Sequence, residues 1–167
     1  MTRGSALTPI VLAVLTIALF VVSRRVASQY GTDVGARFLE RNPRYDAPSL
    51  SQWTAAHPRE AAAYVWPVLY PIDLLFTLSL GAFLWTASAR LAASGRLQRY
   101  VALLLVLPAI YLVTDLIEDA LLARFLLRPR TITPAMVSAT LTITMAKIWS
   151  VGLALLQVAL LVVALFL

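Results

Sequence analysis

Cysteine is absent from the 167-residue chain. Disulfides, thiol catalysis, iron–sulfur clusters and cysteine-ligated zinc are therefore excluded. Charge is scarce: Asp, Glu, Lys and Arg make up 13% of the residues, against about 25% in a typical soluble domain. Histidine occurs once, at His57, and lysine once, at Lys147. There is no G-x-S-x-G, no H-E-x-x-H and no glycine-rich phosphate loop, so no motif announces a nucleophile, a catalytic zinc or a nucleotide. No internal repeat or low-complexity tract is present. What the chain does have is apolar surface. It is 60% hydrophobic, where soluble domains average roughly 45–50%. That excess excludes a disordered chain and does not fit an ordinary soluble one. The net charge of +6 comes from 13 Arg and one Lys against 8 acids. The basic residues flank apolar runs instead of forming one stripe, which argues against nucleic acid as a partner.

The apolar runs predict an all-α membrane bundle of four spans, at about 5–23, 62–89, 100–123 and 138–166, in a single domain. About 20 apolar residues cross a bilayer core as a helix. Gly4–Ser23 is 20 residues without a charge, which is longer than the 7–15-residue core of a signal peptide; it reads as a first span, with Pro9 tolerated near its start. In the second, Pro67 and Pro71 are expected in the first helical turns, and Trp66 and Trp85 at the two interfaces. Pro108 is expected to kink the third. Between the first two spans lies a long polar connection, 24–61. Short helices are expected within it at Gly35–Glu40 and from an N-cap at Ser49 or Ser51. Its aromatic residues, Tyr30, Phe38, Tyr45 and Trp53, suit it to lie across the mouth of the bundle. Its histidine, His57, reads as a surface residue before a ligand.

We call the end bearing residues 24–61 and the third loop side A, and the opposite end side B. Side A carries nine arginines and side B four. The count places side A, with the 24–61 connection, in the cytoplasm of a cell (inner or plasma) membrane. The short, densely basic second loop pulls the other way.

Ionisable residues within spans are costly and functional by default. At a helical rise, Asp73 falls roughly 10 Å below side A. Asp115, Glu118, Asp119 and Lys147 fall in the same layer. The i, i+3, i+4 spacing puts Asp115, Glu118 and Asp119 on one face of a helix, behind Tyr111. Tyr70, Asp73 and Thr77 share a face of the second span; Thr140, Thr144, Lys147, Ser150 and Gln157 form a stripe on the fourth. One lysine cannot neutralise four carboxylates, so at least one of Asp73 and Asp115 is expected to be protonated or paired with a loop arginine. The bland counterparts are an Asp73–Lys147 ion pair between helices and a solvated last turn at Glu118 and Asp119.

These residues, Tyr70, Asp73, Tyr111, Asp115, Glu118, Asp119 and Lys147, define the candidate site. The expected function is that of a small membrane protein binding a lipid or isoprenoid in a carboxylate-lined pocket near side A, or serving as an accessory subunit. Membrane lipids, other membrane subunits or further copies of the chain are its expected partners, and no cofactor is expected. A lipid-active enzyme is the alternative, with Asp73, Asp115 and Glu118 as acid and base; a weaker variant gives Asp115, Glu118 and Asp119 to Mg²⁺. A proton-linked transporter ranks third, because only Gln157 extends the polar layer toward side B.

Overall fold

The computed structural model describes residues 4–30, 45–93 and 97–164, and among them it is helical with no strand. Four helical stretches are long and apolar enough to cross a membrane: Leu7–Ser28, Pro58–Ala93, Gln98–Leu127 and Pro134–Val163. Each overruns the span expected from hydropathy at one or both ends, because the flanking residues are themselves good helix formers.

The first helix, α1 (Gly4–Tyr30), continues through Arg24 and Arg25 and contains Pro9. It lies against the second apolar stretch: the hydroxyls of Thr16 and Ser79 are 3.1 Å apart, and the rings of Phe20 and Phe76 are 6.0 Å apart. The rest of α1 is an exposed apolar surface, with Leu7, Ile10, Val14 and Ile17 all at least 60% exposed.

Within the long connection, α2 spans Ala47–Ala56 and α3 spans Pro58–Ala63. Asp46 is the cap of α2, accepting from the Ser49 amide at 2.8 Å, with proline in the first turn. The serines expected to cap thus lie inside the helix, and Ser49 donates to the cap from there. His57 joins the two helices. Its backbone N–H closes α2 on the Trp53 carbonyl, and its ring stacks on Trp53 at 4.9 Å. The helix expected at Gly35–Glu40 lies outside the described residues.

The second stretch is not the continuous helix that hydropathy suggests. Tyr64–Asp73 is broken at Trp66 and Tyr70, which are extended (φ −127°, ψ 108° and φ −125°, ψ 120°), and both following peptide bonds are cis. Each broken residue precedes a proline, whose ring disfavours the helical conformation in its neighbour. Regular helix resumes only as α4, Leu74–Ala93. The 19-residue Trp66–Trp85 separation is therefore not a helical ruler, and both tryptophans are exposed, at 64% and 45%.

The third stretch divides into α5 (Val101–Leu104) and α6 (Val106–Leu127). The break falls at Leu105, three residues before Pro108, because proline removes the amide that would bond the Leu104 carbonyl. That carbonyl is satisfied from another helix: Gln157 Nε2 donates to it at 2.8 Å and to Ser88 Oγ at 2.9 Å. The last helix, α7 (Pro134–Val163), starts at a Thr133 cap whose hydroxyl accepts from the Met136 amide.

α6 packs chiefly on α7, and α4 touches α1, α6 and α7. Gly81 of α4 allows a close approach to α6, since a Cβ there would sit 3.0 Å from Leu112. Two apolar cores result. At side A, Tyr45, Leu50 and Trp53 of the connection pack on Leu122, Phe125, Leu126 and Val137. Deeper in the bundle lie Leu80, Leu84, Tyr111 and Ala154. The buried polar residues Thr77, Asp115, Glu118, Asp119, Thr140, Thr144 and Lys147 fall between them.

Candidate functional site

The i, i+3, i+4 spacing on α6 brings Asp115, Glu118 and Asp119 to one inward face, where they are 4%, 2% and 2% exposed. Glu118 and Asp119 are thus not a solvated last turn. Residues 45–56 lie over that end of α6, and Phe125, nearly two turns beyond Asp119, is completely buried.

The stripe on α7 meets this face. Lys147 Nζ is 3.0 Å from Asp115 Oδ1 and also pairs with Glu118 Oε2. Each carboxylate receives a second bond from a threonine. Thr77 of α4 donates to Asp115 Oδ2 at 2.5 Å, and Thr144 of α7 donates to Glu118 Oε1. Asp115 thus pairs with lysine and not with a loop arginine among the described residues, and three helices are tied together in one layer. Sequence reasoning had aligned both threonines with the cluster without giving them this role. The signal was their spacing: Thr77 is four residues after Asp73, and Thr144 three before Lys147.

Asp119 is different. Its Oδ2 is buried and has no hydrogen-bond partner. The charges acting on it are, in order, Asp73, Asp115, Lys147 and Glu118. Asp73, half-buried, closes the broken segment just before α4, and Tyr70, half-buried within that segment, lies in the field of Asp119. The Tyr111 hydroxyl is also buried; Thr77 and Asp115 are its polar neighbours, yet no hydrogen bond of ordinary geometry forms. The candidate residues therefore divide into a network (Asp115, Glu118, Lys147) and Asp119, whose Oδ2 has no hydrogen bond, with Tyr111, Asp73 and Tyr70 nearby.

Tyr45 is a site residue that sequence reasoning treated only as packing. It comes from the connection, and its hydroxyl is pushed up to about 12 by burial and then by the charge of Glu118. No sequence spacing could reveal this, since residue 45 belongs to no span. His57, by contrast, is engaged locally, its Nδ1 lying 3.0 Å from the Trp53 carbonyl. Among the described residues, no group of three His, Asp or Glu side chains is arranged to hold a metal ion. Asp115 and Glu118 are instead turned to Lys147.

Comparison with protein families, with curated proteins and with solved structures finds no match to this chain. What the fold itself defines is an all-helical protein with four helices apolar enough to cross a membrane.

Proposed function

We propose that this is a multi-pass protein of a cell membrane, with side A in the cytoplasm, that binds a lipid or isoprenoid ligand at the carboxylate cluster beneath residues 45–61. The exposed apolar faces of α1 and α7 support insertion: in water they would be a severe aggregation liability, and in lipid they are solvated. The observation that carries ligand binding is the orphaned Asp119 Oδ2. A purely structural network is completed, because an unsatisfied buried acceptor costs about 1–3 kcal/mol. Here Asp115 and Glu118 are completed and Asp119, on the same face, is not. The same division disfavours the enzymatic alternative, since the Lys147 pairing commits two of the three carboxylates it would use.

The test is native mass spectrometry of the protein gently extracted from its own membrane. A small molecule of defined mass is expected on the wild type and absent from Asp119→Asn. A protein that carries nothing but bulk lipid, equally in both forms, would sink the reading and return the cluster to the role of helix-to-helix glue.

A further inference from the structure

Charge is divided unevenly between the two ends of the bundle. All eight acidic residues fall between positions 33 and 73 or between 115 and 119. Every acidic side chain thus belongs to the side A connection or to the polar layer beneath it. Side B carries Arg3, Arg90, Arg96 and Arg99 and no acidic side chain. An arginine there finds no carboxylate side chain in its own chain, and its counter-charge comes from outside.

Arg90 shows the consequence. It stands in the last turn of α4 and is half-buried. Its Nη1 is covered by protein and has no hydrogen-bond partner among the described residues. Ser79, which meets Thr16 of α1, lies 11 residues earlier. That is about three helical turns, so Arg90 starts from the α1-facing side of α4. A charged donor left without an acceptor is costly. The long stem lets the guanidinium turn outward to the membrane surface, as arginines near helix ends do. There its planar fork matches a phosphate through two parallel hydrogen bonds.

The surroundings put headgroups within reach. Trp85 and Tyr100, on either side of Arg90 in the chain, are 45% and 43% exposed. Amphipathic rings of this kind sit at headgroup level. The turn Gln98–Tyr100 packs against the end of α4, and the exposed Arg99 holds its guanidinium 4.7 Å from the centre of the Tyr100 ring. A second cation is thus placed at the same end.

We propose that side B binds an anionic phospholipid, its phosphate taken by the Arg90 guanidinium and its negative charge shared with Arg99. This rests on the membrane reading, and it is independent of the ligand at the carboxylate cluster.

The experiment uses the full chain in neutral detergent, titrated with phosphatidylglycerol and with phosphatidylcholine of the same acyl chains. Bound lipid is counted by native mass spectrometry. The first phosphatidylglycerol is expected to bind at least about fivefold tighter than phosphatidylcholine, roughly what one arginine contributes beside an anionic lipid surface. Arg90→Gln should erase most of that preference, while Arg128→Gln, at side A, keeps it. Arg90→Lys retains the charge without the fork and should lose part of it; it also serves if the glutamine variant does not fold. A preference unchanged in both Arg90 variants, or lost equally in Arg128→Gln, would overturn the assignment to side B. Phosphatidylcholine bound as tightly would overturn the anionic lipid, and displacement by equimolar inorganic phosphate would give the site to the free ion. A chain that stays soluble without detergent would instead sink the membrane reading itself.

Discussion

Lys147 and Asp119 occupy the same buried layer and should respond to substitution in opposite ways. Lys147 holds Asp115 and Glu118, so Lys147→Met leaves two buried carboxylates without their cation. Breaking a buried pair in this way costs about 3–5 kcal/mol. Thermal unfolding in detergent should show a clear drop, largely reversed when Asp115→Asn and Glu118→Gln are added. Asp119→Leu removes an acceptor that has no partner, and the melt should be unchanged or raised. A large loss of stability in Asp119→Leu would mean that its carboxylate is structural after all. The alignment of the acidic face, the polar stripe on α7 and their shared layer were all legible in the sequence, because helical periodicity fixes them. Which carboxylates took the lysine was not legible: the pairing the sequence suggested was Asp73 with Lys147, and the lysine lies on Asp115 and Glu118.

The break at Tyr70 marks where reading by hydropathy stops working among the elements. Pro67 and Pro71 look harmless if they fall in a first helical turn. They are disruptive here because helix has already begun at Pro58, which puts both prolines in its interior. The helices of the connection are legible by the opposite logic, from caps. Asp46 accepts from both the amide and the hydroxyl of Ser49, and these bonds hold its carboxyl below the usual 3.8. A depressed folded-state value stabilises α2 above the unfolded value near 3.8, and the benefit is lost as pH falls through the lower folded one. The protection factors of the first amides of α2, taken against intrinsic exchange at each pH, should therefore fall below about pH 4, and Asp46→Ala should show the lower protection already at neutral pH. The anchoring of the connection is tested by Phe125→Ala. It removes a fully buried ring from the side A core and should cost about 3–5 kcal/mol. It should also expose α2 to protease.

For the molecule as a whole, the missing cysteines become an experimental advantage. Any cysteine introduced is the only one, so topology can be read by labelling without background. Gln52→Cys, on the exposed face of α2, should react with an impermeant maleimide only from the cytoplasmic side. Arg99→Cys, at the other end of the bundle, should react only from outside. The reverse pattern would invert the orientation without touching the fold. Four apolar stretches were evident from the runs along the chain; the covering of side A by residues 45–56 rested on aromatic content, and it emerges as a packed core around Trp53 and Phe125.

The carbonyl stranded by Pro108 also sets how the bundle can move. Gln157 ties it to Ser88, so one amide pins α4, α5 and α7 at side B. Sliding any of the three would strip a polar group bare in an apolar setting, which the pin resists. Toward side A the Lys147 network ties α4, α6 and α7 in the same way. The bundle is therefore fastened at two levels, and turning one helix against the others would break polar bonds in an apolar setting at both.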